Sequence, residues 1–119
     1  PFAGIKKLMD LVGPAYAKEI LYTARRFSAE EALRIGLINR LVPADELKSV
    51  VTEIGMMIAE NAPLSIRNAK INVENVLMDR ADRDMEACAA ATKACMESED
   101  YVEGRTAFME KRKPVFKGR

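Results

Sequence analysis

The chain has 119 residues, of which 49% are hydrophobic and 31% are charged, a composition typical of one globular, water-soluble domain. Its 19 basic and 18 acidic residues leave a formal net charge of +1, so neither nucleic acid nor an anionic membrane is expected as a partner. The sequence contains no histidine, which excludes a Ser–His or Cys–His nucleophilic pair and a histidine zinc site within these residues.

The first part of the chain contains several predicted helix boundaries. Gly13-Pro14 marks one boundary, and the proline suits the first turn of a short helix predicted at Ala15–Thr23. Ser28 and Glu31 have the spacing of a capping box, which predicts the start of a second helix. Gly36 predicts that this helix ends in a left-handed cap.

Apolar residues then continue in two different patterns. Residues 37–42 predict a short strand or an extended segment, which Pro43 ends. From Ala44 the apolar residues follow the period of amphipathic helices, with one stripe on each side of Pro63: Leu47, Val50, Val51, Ile54, Met57 and Ile58, then Ile66, Ala69, Val73, Val76 and Leu77. Because a chain of this size buries a modest core, part of this apolar surface is expected to face a partner subunit.

Two more helices are predicted towards the end of the sequence. An Ala-rich helix at Met85–Met96 follows a charged break, and Ser98 is a candidate N-cap for the last helix. We expect Lys111-Arg112-Lys113 to occupy the final turn of that helix, where positive charge is favoured, and Pro114 to close it. The coarse expectation for the whole chain is four or five helices and at most one strand.

Two cysteines, Cys88 and Cys95, lie on one face of the Ala-rich helix. Seven residues of helix separate them by about 10 Å, which is too far for a disulfide. They are expected to be buried, reduced thiols, which favours a reducing, cytoplasmic location.

The residues most suited to binding lie in the basic segment after the last helix. It contains Lys111, Arg112, Lys113, Lys117 and Arg119, with Phe108 and Phe116 interleaved. One interpretation is a solvated helix end; the other is a phosphate contact beside an aromatic ring that packs on a purine. The acidic residues, in contrast, are scattered, and a solvated surface position is the expected interpretation for them.

An ordered set of motifs covering essentially the whole chain resembles the crotonase superfamily, the enoyl-CoA hydratase/isomerase family. The final motif is the most specific one. In chain order, the motifs are Leu11-Val12-Gly13-Pro14-Ala15, Ala17-Lys18-Glu19, Ser28-Ala29-Glu30-Glu31-Ala32, Gly36-Leu37-Ile38-Asn39, Val42-Pro43, Asn61-Ala62-Pro63-Leu64, Ala69-Lys70 and the stretch from Ser98 to Phe116.

The resemblance implies a mainly α fold that corresponds to the C-terminal part of a subunit. Residues 1–43 would be the tail end of the ββα spiral core, and residues 44–119 the helical region that builds trimers or dimers of trimers. Crotonases bind acyl-CoA thioesters, and two backbone amides stabilise an enolate at the thioester oxygen. The resemblance implies no cofactor and no metal.

The resemblance places the catalytic groups outside this chain and one substrate contact inside it. The oxyanion donors and the two glutamates of hydratases would lie upstream of Pro1, so the chain alone is expected to have no hydratase activity. The family's C-terminal Phe-x-x-Lys contacts the adenine and phosphates of CoA, which implies substrate-binding roles for Phe108 and Lys111. An alternative for Phe108 is a place in the helical core.

Other interpretations of the sequence remain open. Hydratases commonly carry paired glycines where this chain has a single Gly4, so the parent reaction could be an isomerisation or another crotonase activity. Two alternatives from other classes are a non-catalytic helical oligomerisation module and a small CoA-binding or acyl-carrier-binding protein. The opening Pro1-Phe2-Ala3-Gly4 resembles the interior of a longer sequence, which favours the enzyme.

Overall fold

The computed structural model describes residues 2–119, and the fold over those residues is mainly α. Six helices follow one another, more than the four or five expected: α1 Phe2–Thr23, α2 Ala29–Arg34, α3 Leu47–Ala59, α4 Pro63–Leu77, α5 Met85–Met96 and α6 Glu99–Met109. A short 3₁₀ turn at Arg80–Asp82 precedes α5. Within this range no helix is long and apolar enough to cross a membrane. The chain divides into two compact units, one ending at Leu47 and one comprising Lys48–Arg119.

The first unit contains α1 and α2. α1 is interrupted at Gly13, which has φ 74° and ψ 165°, a conformation that only glycine adopts readily. The boundary at Gly13-Pro14 and the helix after it are confirmed, whereas the helical residues before Gly13 were not predicted. The small core of this unit consists of Val12, Ala17 and Ile35, with Leu8, Ile20 and Phe27 packed against them.

The ends of α2 are formed as the sequence predicts. The Ser28 hydroxyl accepts a hydrogen bond from the Glu31 N–H (3.1 Å), and the Glu31 carboxylate accepts one from the Ser28 N–H (2.9 Å). Gly36 has φ 78°, and the Leu37 N–H donates to the Ala32 carbonyl (2.9 Å) to close the turn. The strand considered for residues 37–42 does not form, because residues 2–119 supply no other strand with which it could pair.

The second unit is organised by the packing of α4 on α5. Polar contacts fix the register of the two helices: Asn68 Oδ1 accepts from the Thr92 hydroxyl (3.1 Å), and the Ser65 hydroxyl lies 3.2 Å from Cys95 Sγ. The Asn75 carboxamide oxygen accepts from the Asp84 N–H (2.7 Å) and holds the connection before α5. The predicted bounds of α5 are confirmed.

Both cysteines of α5 are free thiols, as predicted. Cys88 is buried, whereas Cys95 is only partly buried.

The apolar stripes of α3 and α4 are largely exposed in this chain. Most large side chains of the two stripes are more than a third accessible: Leu47, Val51, Met57, Ile58, Ile66, Val73, Val76 and Leu77. On α4 the stripe lies opposite the face of Leu64, Asn68 and Ile71 that meets α5. The periodicity therefore identifies a real apolar face, but residues 2–119 do not cover it.

Candidate functional site

Helix α6 is fixed at its start by its own cap. The Ser98 hydroxyl accepts from the Tyr101 N–H (3.0 Å) and donates to the Cys95 carbonyl (2.7 Å), so the predicted N-cap is confirmed. Glu99 and Asp100 occupy the first turn, where the helix dipole favours negative charge.

The end of α6 differs from the prediction. The helix ends at Met109, and Lys111-Arg112-Lys113 lie beyond its last turn. Lys111 takes a left-handed conformation (φ 55°), its N–H donates to the Phe108 carbonyl (3.2 Å), and the Arg112 N–H donates to the Ala107 carbonyl (3.0 Å). These two bonds define a Schellman motif with Lys111 in the position that glycine usually takes. The placement of the basic residues in the final turn was therefore wrong, because the chain reverses before it reaches them.

The segment after α6, residues 110–119, folds back along the helix and is held by two carboxylates. Asp100 is only 3% exposed, and its two carboxylate oxygens accept from the Lys117 N–H (2.6 Å) and the Gly118 N–H (2.7 Å). Glu103 accepts from both terminal nitrogens of Arg112 (2.6 and 2.9 Å) and from the Val115 N–H (2.8 Å). We call residues 110–119 the return segment.

The Glu103–Arg112 ion pair connects α6 to the return segment. The Arg112 guanidinium, followed by the Val115 N–H, lowers the pKa of Glu103 to about 2. Arg112 also contacts Glu110 (2.6 Å), so one guanidinium joins the end of α6 to its middle. The geometry is bidentate, which gives such a pair directional specificity.

A shallow groove of about 400 Å³ lies between α6, the start of α4 and the return segment. Its surface includes three aromatic side chains, and Arg105 supplies a positive charge. Its lining consists of Ala62, Ser65, Asp100, Tyr101, Gly104, Arg105, Phe108 and Phe116. The Arg105 guanidinium lies 5.9 Å from the centre of the Tyr101 ring. Such a groove can hold a flat aromatic group by stacking and an anion beside it.

The structure brings one of the two predicted site residues into this groove. Phe108 lines it and is 82% exposed, so the alternative of a core position for Phe108 does not apply within this chain. Lys111 follows one turn later, outside the lining residues. Three basic side chains of the return segment form ion pairs: Arg112 with Glu103, Lys113 with Glu60 and Arg119 with Glu99. Within residues 2–119, Lys111 forms no ion pair.

Tyr101 and Arg105 are among the residues of the groove that sequence reasoning missed. A signal was present, because Tyr101, Arg105 and Phe108 follow spacings of four and three residues and therefore share one face of α6. Phe116 was noted only as an aromatic in the basic tail. Its contact with α6 depends on the return segment, which the sequence did not predict.

Comparison with known proteins agrees with the motifs. A family profile described as Enoyl-CoA hydratase/isomerase matches residues 1–119. A crotonyl-CoA hydratase of Syntrophomonas wolfei is 41% identical over 115 residues, which are 97% of this chain and 44% of that protein. A carnitinyl-CoA dehydratase of Salmonella typhi is 37% identical over 120 residues, 98% of this chain and 46% of that protein. The crystal structure of enoyl-CoA hydratase from Bacillus anthracis superposes with a TM-score of 0.83 at 35% identity, covering 98% of this chain and 45% of that one.

The chain belongs to the enoyl-CoA hydratase/isomerase family of the crotonase superfamily. It spans less than half the length of the relatives that it matches. That coverage is consistent with the C-terminal part of a crotonase subunit, as the motifs predict.

Proposed function

We propose that the protein containing this chain adds water to the carbon–carbon double bond of an enoyl-CoA thioester, or forms that double bond by removing water from a hydroxyacyl-CoA thioester. The observation that supports this function most is the match along the whole chain to a crotonyl-CoA hydratase and a carnitinyl-CoA dehydratase. Both names describe water chemistry on a CoA thioester. The relevant groups of such an enzyme are an oxyanion hole and a pair of carboxylates that transfer protons.

We assign this chain a binding role rather than the proton-transfer role. All three carboxylates of α6 have partners: Asp100 binds backbone N–H groups, Glu103 binds Arg112 and Glu99 contacts Arg119. As the resemblance implies, the oxyanion donors and the catalytic glutamates would precede Pro1. Phe108 in the groove would stack on the adenine of CoA, and Lys111 would contact a phosphate.

We further propose that the protein is a homo-oligomer, a trimer or a dimer of trimers. The support is the exposed apolar face of α3 and α4 in Lys48–Arg119, since apolar patches of this extent mark interaction surfaces. Residues 44–119 would form the oligomerisation region, and residues 1–43 the end of the spiral core.

Isomerisation of an enoyl-CoA double bond is the second candidate reaction. It is favoured by the single Gly4, where hydratases commonly carry paired glycines. The two reactions share the stabilised enolate and differ in whether water enters the product.

The test is an assay of the protein that contains this chain with crotonyl-CoA and with a 3-enoyl-CoA. Hydration removes the conjugated double bond of crotonyl-CoA, whereas isomerisation of the 3-enoyl thioester creates it, so the absorbance changes have opposite signs. We expect turnover of crotonyl-CoA to a 3-hydroxyacyl-CoA, identified by mass. Turnover of the 3-enoyl-CoA alone would favour the isomerase. Turnover of neither, with a folded protein, would favour a non-catalytic oligomerisation module.

A further inference from the structure

Asp100 differs from the acidic residues around it in what its carboxylate binds. An acidic side chain in the first turn of a helix normally interacts with the helix dipole and water. The Asp100 carboxylate is instead buried, and both of its oxygens accept backbone N–H groups of the return segment. Its own N–H donates to the Arg119 carbonyl (3.2 Å). Asp100 therefore fixes residues 117–119 from both its side chain and its backbone.

Fixing the return segment places an aromatic ring in the groove. Phe116 directly precedes the two N–H groups that Asp100 binds, and its ring packs on α6 where Gly104 has no side chain. A Cβ atom on Gly104 would lie 3.6 Å from Cε1 of Phe116, which is ordinary contact distance. The groove that contains Phe108 therefore depends on the return segment for one of its aromatic residues.

We propose that Asp100 is a positioning residue for the CoA site: by holding the Lys117 and Gly118 N–H groups, it keeps the Phe116 ring in the groove as a second stacking surface for the adenine. The proposal rests on the proposed function, because the adenine belongs to the acyl-CoA substrate. Asp100 acts through Phe116 and contacts no reacting atom. Its removal should lower affinity for the nucleotide end of the substrate and leave the chemical step unchanged.

The neighbouring Glu99 provides a matched control. It lies in the same turn, carries the same charge and is exposed, with only a long contact of 3.4 Å to Arg119 Nε. Glu99→Gln and Asp100→Asn therefore remove the same charge from the same end of α6. Only Asp100→Asn presents an N–H₂ group to one of the backbone N–H groups and so breaks a hydrogen bond to the return segment.

The first measurement is amide hydrogen exchange of residues 115–119 in the whole protein. Hydrogen bonds to a charged group should slow exchange at Lys117 and Gly118, and Asp100→Asn should accelerate it at least about tenfold. Glu99→Gln should leave the exchange rates as in wild type. Gly118→Ala loosens the same segment independently, since Gly118 has φ 77° and a side chain is strained there. Unchanged exchange in Asp100→Asn would overturn the positioning role whatever the enzyme's activity is.

The second measurement compares crotonyl-CoA with crotonyl-pantetheine, which lacks the nucleotide. For Asp100→Asn, Gly118→Ala and Phe116→Ala we expect KM for crotonyl-CoA to rise roughly 3- to 10-fold, the range of one aromatic contact, with kcat unchanged. The value of kcat/KM for crotonyl-pantetheine should stay at the wild-type level. An equal loss with both substrates would mean a general folding defect and overturn the proposal.

Failure of the proposed function is distinguishable from failure of the positioning role. Wild-type protein that turns over neither substrate contradicts the function, and with it the adenine assignment. The exchange measurement still decides whether Asp100 holds the return segment.

Discussion

Lys111 has a backbone conformation that is less favourable for lysine than for glycine. Its φ of 55° lies in the left-handed region, where an L-residue is destabilised by roughly 1–2 kcal/mol. The Schellman motif at the end of α6 would be formed at lower cost by glycine. A lysine that is strained and forms no ion pair within residues 2–119 is consistent with a role in ligand binding, since strain of this kind concentrates at functional sites.

The first prediction separates stability from binding at Lys111. Lys111→Gly should raise the free energy of unfolding by about 0.5–1 kcal/mol, because it relieves the left-handed strain. The same variant should raise KM for acyl-CoA roughly tenfold at low salt, the low end of what a hydrogen bond to a charged group contributes. The increase should shrink at high salt, since exposed charges are screened. Urea unfolding and steady-state kinetics at two salt concentrations measure the two effects.

Lys113→Ala is the matched control for Lys111. It removes the same charge two residues away, but its ammonium is already paired with Glu60 (2.7 Å). We expect no change in KM for Lys113→Ala. Equal effects of the two substitutions would indicate that only the net charge of the tail matters.

The second prediction concerns the pH dependence of stability at Glu103. Its pKa is lowered from 4.5 to about 2 in the folded protein, so the carboxylate stabilises the fold above about pH 5 and loses that contribution as pH falls towards 2. Glu103→Gln lacks the contribution at every pH. The difference in Tm between wild type and Glu103→Gln should therefore be largest near neutral pH and shrink steadily between pH 4.5 and about 2.

The Arg112 guanidinium is the largest cause of the Glu103 shift. Arg112→Met should therefore remove most of the same pH-dependent difference. A Tm difference that stays constant with pH in Glu103→Gln would show that the carboxylate does not stabilise the fold electrostatically.

At the scale of elements, the boundaries with local chemical causes were predictable. Ser28, Pro63 and Ser98 each begin a helix in the predicted place, because a cap or an N-terminal proline acts on its own next few residues. Prediction was wrong where the outcome depends on distant residues. The possible strand after Gly36 has no neighbour to pair with, and the return segment after Lys111 is held by bonds to Asp100 and Glu103, which are distant in sequence.

The difference between local and long-range contacts also decides which residues of the candidate site could be predicted. Phe108 could be proposed from its motif, and Tyr101 and Arg105 could have been found from their helical spacing. Phe116 could not be assigned to the groove, because it reaches Gly104 only after the chain folds back over more than ten residues. Contacts of that kind depend on tertiary structure rather than on local periodicity.

The third prediction tests a local cap. Ser28→Ala removes the acceptor for the Glu31 N–H and should lower the free energy of unfolding by about 1 kcal/mol. Ser28→Thr keeps the hydroxyl and should remain within about 0.5 kcal/mol of wild type. Chemical denaturation of the three proteins measures the differences. A similar loss in both variants would mean that the capping bond contributes little to stability.

At the scale of the whole molecule, the solvent-accessible surface is larger than that of a compact protein of the same mass. The solvent-accessible surface of the chain is 9559 Å². A compact monomer of 13.3 kDa exposes about 6,500 Å², and two separate compact units of 47 and 72 residues would together expose about 7,700 Å². Among residues 2–119, no large side chain is completely buried. The exposed apolar side chains are therefore expected to be covered by other polypeptide, either of the same protomer or of a partner subunit.

The last prediction assigns part of that surface to the subunit interface. Val76 is 67% exposed on the uncovered face of α4, so a lysine in its place should leave the protomer folded. Val76→Lys should lower the mass of the oligomer measured by light scattering, because it would bury an unpaired charge in an apolar contact. Glu74→Lys changes an exposed charge on the same helix and should keep the wild-type mass. We expect wild-type protein to have the mass of three protomers or six. An oligomer of unchanged mass in Val76→Lys, with the helical circular dichroism preserved, would mean that this face is covered by the same protomer rather than by a partner.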